Sequence, residues 1–237
     1  MEYEHKTLVG HFSRFSQLYK GRERGIWERG QFEVSEKNGT FLPDDEFTLE
    51  RFVEHVGGNG RSYGIHLLDS HNRVRFCMFD IDAYPRTAPQ KEMVRNLRAL
   101  KPSVIHLRNT LYAMGVGAQN LLIEFSGTGF HLWMFYDVPI AATKVKAWMS
   151  AALEHSELDG IPFKPQRIEI TDKHNGDKVW LPLRINSNQG NRSVFIRDLE
   201  GFDPGNYDQK LDFTFVEKVV PMTTGDLRRI SAQLGPA

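Results

Sequence analysis

Cysteine is nearly missing from these 237 residues: Cys77 is the only one. No intrachain disulfide can form, and no Cys/His cluster has zinc-finger spacing. A single thiol within an apolar run reads as a buried strand residue rather than as chemistry. Net charge is missing too, with 30 Lys and Arg against 30 Asp and Glu. No global field therefore advertises nucleic acid or a membrane as partner, and any basic surface must be local. The longest apolar stretch, LWMFY at 132–136, is far too short to span a bilayer, and the charged start MEYEHKTLV lacks the apolar core of a signal peptide. A cytoplasmic protein with no membrane partner is the expectation. Internal repeats, low-complexity tracts and long linkers are absent as well.

What is present is ordinary globular material, 40% hydrophobic and 25% charged, with room for a core and for one domain of two lobes or two small domains. FTLERFVEHVGG places Leu49, Phe52, Val53 and Val56 on one helical face, with Thr48 as N-cap and Gly57 as the stop. SYGIHLL at 62–68 and RVRFCMF at 73–79 predict a hairpin turning at Asp69, Ser70, His71 and Asn72. Residues 89–114 predict one or two helices interrupted near Pro102, with a Val104, Leu107 and Leu111 stripe. A second hairpin joins NLLIEF at 120–125 to FHLWMFY at 130–136. Ala141, Val145, Trp148, Met149 and Ala152 then mark an amphipathic helix. Short strands are expected at RIEI (167–170), KVWLPL (178–183) and SVFIRD (193–198). Strands interleaved with helices in this way argue for a mixed α/β (α+β) fold on a mainly antiparallel sheet.

The chemistry concentrates in FCMFDIDAY at 76–84. In an extended strand side chains alternate, so Asp80 and Asp82 share one face while Ile81 points into the packing. Two carboxylates that close repel, and a divalent cation keeps both ionised; oxygen ligands select magnesium or manganese over zinc. The other reading is a strand ended by turn-forming aspartates. SGTGFH at 126–131 brings two glycines, which let backbone N–H groups approach phosphate oxygens, hydroxyls from Ser126 and Thr128, and His131 at the start of the next strand. Its plainer reading is a hairpin turn with a core histidine. Glu169 in RIEI is an acid within an apolar segment and asks for a partner: Arg167 on the same strand, or a metal shared with Asp80 and Asp82. Three carboxylates can hold two divalent ions for nucleotidyl transfer. Lys178, Arg184 and Arg192 follow, as phosphate neutralisers or as solvated surface groups.

The order of these motifs resembles the archaeo-eukaryotic primase superfamily: an apolar strand ending in D-x-D, S-G-x-G-x-H opening a strand, a glutamate in a strand, then L-P-L. It is most similar to the primase-polymerases of TOTE-type conflict systems and CRISPR-associated loci, and LYKGRERGIWERG at 18–30 resembles the opening motif of that group. The resemblance implies an N-terminal α/β unit and an RRM-like catalytic unit with the active site between them. It divides one catalytic domain, 1–237, into an N-terminal part (about 1–62), a catalytic core (about 63–200) and a C-terminal extension (201–237).

It further implies that Asp80, Asp82 and Glu169 bind two magnesium or manganese ions as catalytic metal ligands. Ser126, Gly127, Thr128, Gly129 and His131 would hold the nucleotide's phosphates, with Lys178, Arg184 and Arg192 around nucleotide and template. The implied activity is DNA primase-polymerase: template-directed transfer from nucleoside triphosphates to a 3′-hydroxyl, with primer synthesis depending on added modules. The implied partners are nucleoside triphosphates, single-stranded DNA template and primer, and replication or defence-system proteins. The chain departs from its relatives at Thr128, where Lys or Asn is frequent, at Arg184, where many have Gly or Ser, and at Asn186, where many have His. A cysteine-rich zinc element and helicase or nuclease domains are not seen in it.

Two rival functions fit parts of the pattern. In an aspartyl-phosphate phosphatase Asp80 would be nucleophile and Asp82 acid, but a small hydroxyl residue is expected where Tyr84 stands. A catalytically inactive nucleotide- or nucleic-acid-binding module would have no need of the full acidic set.

Overall fold

A computed structural model describes residues 5–30, 39–58, 61–185 and 190–233. The first four residues of the chain and Asn186 lie outside them. Helix α1 (His5–Leu18) leads into strands β1 (Ile26–Gly30) and β2 (Thr40–Leu42), helix α2 (Leu49–Gly57), and strands β3 (Arg61–His66) and β4 (Arg73–Asp82). The long helix α3 (Gln90–Ala113) is followed by β5 (Leu121–Phe125), β6 (Gly129–Ala141) and helix α4 (Ala142–His155). Short strands β7 (Phe163–Lys164), β8 (Lys178–Trp180) and β9 (Val194–Phe195) precede helices α5 (Thr214–Lys218) and α6 (Thr224–Gln233). No helix among the described residues is long and apolar enough to cross a membrane.

The strands form two antiparallel sheets, β7-β4-β6-β5-β9 and β2-β1-β3-β8. In the larger sheet the run β4-α3-β5-β6-α4-β7 gives the split β-α-β-β-α-β topology of ferredoxin-like and RRM-like units, as the resemblance implied. Its centre, β4 beside β6, is apolar on both faces: Phe76, Phe79, Phe130, Leu132, Trp133 and Phe135 are fully buried. One continuous core runs from there to Phe15, Phe52, Ile26 and Val179 of the smaller sheet and its helices.

Several local expectations change. The run around 62–79 is not a hairpin. Asp69 does close a tight turn by accepting from the backbone N–H groups of His71 and Arg73, each at 2.9 Å. However, β3 and β4 belong to different sheets, because β3 finds edge partners in β1 and β8 while β4 is claimed by the long strand β6. Helix α2 is capped by Thr48 and ends at Gly57 as expected, with Gly58 as its C-cap, whose φ of 79° a glycine adopts without strain. His55, not Val53, faces the core there: its imidazole accepts from the Tyr63 N–H at 3.0 Å and meets the Pro182 carbonyl at 2.8 Å. Helix α3 continues through Pro102, which lies on the exposed side, where one missing backbone bond is least costly. RIEI forms no strand. Residues 178–183 and 193–198 shorten to β8 and β9, and β8 joins the N-terminal strands rather than the larger sheet.

Candidate active site

Asp80 and Asp82 terminate β4, with Ile81 between them and Phe79 before them buried on the core side. Across the β4–β6 ladder Asp80 lies opposite His131 and Asp82 opposite Gly129, and across β6–β5 His131 lies opposite Glu124. Directly opposed residues share a face, so strand register alone builds a carboxylate–imidazole–carboxylate row over three strands. His131 Nε2 stands 3.3 Å from Asp80 Oδ1, and its Nδ1 is 2.8 Å from Glu124 Oε2. Trp133 Nε1 donates to the same Glu124 oxygen at 2.7 Å, and the Ser193 side chain also bonds Glu124. Glu124 is 2% exposed. A carboxylate buried that deeply persists only with a cation and full hydrogen bonding, and His131 supplies the cation.

The glycine turn is positioned by the same ladder. Ser126 closes it through its N–H to the Gly129 carbonyl at 2.9 Å, while Gly127 takes φ of 91°. A Cβ on Gly129 would stand 2.5 Å from the Ile81 carbonyl oxygen and 2.6 Å from Asp82 Oδ1. Only glycine lets β6 start against the acidic pair. The Thr128 carbonyl accepts from Ala83 N–H at 2.9 Å, pinning the turn to the residue that follows the aspartates.

The electrostatics follow from crowding. Burial and the neighbouring Asp80 charge push Asp82 up to about 6, while Arg86, which donates to Asp82 Oδ2, opposes the rise. Burial would raise Asp80 too, but its close contact with the charged His131 ring outweighs it, and the carboxyl is held below its usual range. His131 feels the reverse. Burial would strip its proton, but Glu124 and Asp80 on either side raise it to about 10. Burial lowers Arg184 to about 10; it senses Glu124 and Asp82 as well as the like charges of Arg29 and Arg86. Arg86 and Arg184 thus lie near the acidic pair, with Arg29 near Arg184, in a chain whose net charge is zero.

Asp80, Asp82 and His131 offer ligand atoms within 4.8 Å of one another, the one such cluster among the described residues. Asp80 Oδ1 is buried without a hydrogen-bond partner, since its approach to His131 is an ion-pair contact rather than a directed bond. An orphaned carboxylate oxygen beside a second carboxylate is what a hard divalent cation satisfies. The imidazole, held protonated, is a donor rather than a ligand. The donor set therefore fits magnesium or manganese on Asp80 and Asp82.

The sequence-derived set divides here. Asp80, Asp82, Ser126, Gly127, Thr128, Gly129 and His131 come together, with Arg184 beside them. Glu169 does not join them: it is exposed, outside any strand and outside the cluster. The segment after β7 runs back along β4 until Ile170 N–H reaches Asn72 Oδ1 at 2.9 Å, leaving Glu169 near the start of β4, roughly 20 Å along the strand from Asp80. Arg192 is also structural: Nη1 donates to the carbonyls of Val56 at 2.7 Å and Leu183 at 2.8 Å, tying the end of α2 to the segment after β8. Lys178 lies on the smaller sheet over the Trp27 ring. Two site residues were missed, Arg86 and Glu124. The argument applied to Glu169, an acid within an apolar run, applies more strongly to Glu124 in NLLIEF, which the fold does bury.

Comparison with known proteins agrees with this architecture. Residues 11–228 match the family model for the archaeo-eukaryotic primase domain of TOTE conflict systems. The chain belongs to the archaeo-eukaryotic primase superfamily, as a primase-polymerase domain of the TOTE type. The rival phosphatase reading ends there. No curated protein matches the chain. Among solved structures it is similar to the archaeo-eukaryotic primase domain of the cyanophage S-2L primase-polymerase, with 12% identity and TM-score 0.43 over 92% of this chain and 98% of that one. It is also similar to the polymerase domain of Mycobacterium tuberculosis ligase D in complex with DNA, with 11% identity and TM-score 0.33 over 95% and 87%. At these values neither adds to the family assignment.

Proposed function

We propose that this chain is a DNA-dependent primase-polymerase that transfers nucleotides from nucleoside triphosphates to a 3′-hydroxyl on a single-stranded template. The observation that carries the reading is the convergence of Asp80, Asp82 and His131 beside the Gly127–Gly129 turn, with a buried carboxylate oxygen lacking a partner. The hydroxyl oxygen attacks the α-phosphorus. An O–P bond forms as the bond to the β-phosphate oxygen breaks, the electron pair leaves with pyrophosphate, and the hydroxyl proton passes to water.

Bound magnesium or manganese would neutralise the triphosphate and lower the barrier to in-line attack. Asp80 and Asp82 would hold such an ion, and Glu169 would not contribute to it, since it stands elsewhere. His131, held by Glu124 through Nδ1, would present its Nε2–H beside the acidic pair, where it could donate to a phosphate oxygen. Ser126, whose N–H and hydroxyl both donate to the Gly129 carbonyl, would shape the turn, backbone N–H groups within 127–129 would meet the terminal phosphates, and Arg86 and Arg184 would face the remaining negative charge.

Purified protein with primed single-stranded DNA, labelled nucleotides and manganese tests this. Extension by the wild type and its loss in Asp80→Ala are expected; equal extension by both, or none by the wild type across metals and nucleotides, refutes it.

A further inference from the structure

The smaller sheet has one face in the core and one turned outward. Leu42, Ile26, Ile65 and Val179 lie in one row across its four strands; Ile26, Ile65 and Val179 are buried and Leu42 packs against the same core. One residue along, Phe41 on β2 opposes Trp27 on β1, Trp27 opposes Gly64 on β3, and Gly64 opposes Trp180 on β8. By pleat alternation these four share the opposite face. Phe41, Trp27 and Trp180 are each only partly buried. The Phe41 and Trp27 centroids are 5.6 Å apart, and Trp27 Nε1 is held by His66 Nε2 at 2.7 Å, so its ring is fixed in place. Gly64 is the gap in the row. A Cβ there would stand 3.1 Å from Cε3 of Trp180, whose indole leans into the space.

Cations are interleaved with the aromatics. Lys178 Nζ lies 3.2 Å from the Trp27 ring centroid, and the Arg184 guanidinium lies 5.7 Å from that of Trp180. Arg29, two residues beyond Trp27, is on the same face and interacts with Arg184. Arg184 also senses Asp82 and Arg86, so the row continues into the candidate active site. Among the described residues no carboxylate belongs to the row: Glu28 lies on the other face, and Asp177 turns away to the backbone N–H groups of Gln166 and Arg167.

We propose that this outer face is a stacking platform for the bases of single-stranded nucleic acid, with Arg29, Lys178 and Arg184 meeting its phosphates. Flat, half-open rings alternating with cations are what a strand without sequence preference needs: π faces for bases and positive charge for the backbone. A closed hydrophobic cluster would not place three cations among its rings. That the strand is a template rests on the primase-polymerase reading; that a strand binds does not.

The test uses binding of short oligo(dT) to the full chain, followed by fluorescence anisotropy and by intrinsic tryptophan emission. Of the four tryptophans, Trp133 and Trp148 are buried at 0% and 5% exposure, so quenching reports Trp27 and Trp180. The wild type is expected to be quenched on binding and to bind an abasic strand of equal length more weakly. Trp180→Ala should weaken oligo(dT) binding about tenfold and Phe41→Ala severalfold, with Trp180→Phe restoring most of the loss. Calorimetry of nucleoside triphosphate with manganese should be unchanged in Trp180→Ala.

Wild-type affinity in both alanine variants overturns the proposal. So does equal affinity for the abasic strand, or failure of Trp180→Phe to rescue, which would make the indole a packing residue. If the wild type never extends a primer yet these binding differences hold, the polymerase reading falls and the platform stands. Primer extension without any of the binding differences removes the platform and leaves the polymerase.

Discussion

The two sheets carry their functional rows by the same construction and to opposite ends. In the larger sheet the row Asp80, His131, Glu124 is charged and almost enclosed, and each member is defined by the next. In the smaller sheet the row Phe41, Trp27, Gly64, Trp180 is aromatic and half open. Antiparallel register puts opposed residues on one face in both; burial then decides what the row can do. Enclosure strengthens charge interactions and makes every unmet oxygen costly, which suits a site that grips a cation and a triphosphate. Partial exposure would let these rings take bases whose identity need not be read, in the stacking proposed for this face.

Breaking the charged row should have the largest effect. Asp80→Ala removes a cation ligand and is expected to lower primer extension about a thousandfold, with the thermal midpoint little changed; a loss under tenfold would take the pair out of the reaction. Glu124→Gln keeps shape but removes the charge that orients His131. Extension kcat should fall about 10- to 100-fold, with KM for nucleotide moving less. Parallel loss of both parameters with a collapsed thermal midpoint would mark Glu124 as a fold residue only.

Gly129→Ala forces a methyl against the Ile81 carbonyl and the Asp82 carboxylate. It should cost up to about 3 kcal/mol in chemical denaturation and reduce extension, whereas alanine at Gly10 in helix α1, where a Cβ meets nothing within 4 Å, should leave extension unchanged.

The smallest effect tests the smaller sheet's support. Burial lowers His55, which ties α2 to β3, to about 4 despite its bond to the Pro182 carbonyl. The unfolded chain binds this proton near pH 6.5 and the folded one does not, so stability falls as pH drops from about 6.5 toward 4. The loss from this group alone is about 2 kcal/mol by pH 5. Denaturation midpoints of His55→Gln, whose amide can make both hydrogen bonds, should show a shallower loss between pH 7 and pH 5; an unchanged slope would assign the acid sensitivity to other groups.

Legibility differed with sequence distance. The D-x-D pair and the Ser126–His131 turn are local, so strand alternation and glycine chemistry made them readable, as did helices α2, α3 and α4 from their apolar spacing. Glu169 shows the limit of that method. An acid among apolar residues signals a buried charge only if the segment is buried, and 167–170 is laid along the outside of β4. Glu124 gave the same signal and was the residue the core enclosed. The hairpin expected at 62–79 failed because β4 was taken by the longer strand β6 while β3 paired with β1 and β8, a competition that no local pattern records.

The sequence by itself determined the chemical parts, two carboxylates on one strand face, a glycine turn, a histidine at a strand start, and the order in which they occur. Tertiary structure decided which of them meet. His131, the partner of Asp80, lies far along the chain on β6 and is itself met by Glu124 on β5, and the aromatic row is drawn from four strands between Trp27 and Trp180. Their union depends on the pairing of whole strands, where burial and hydrogen bonding along an entire ladder outweigh the preference of any one residue.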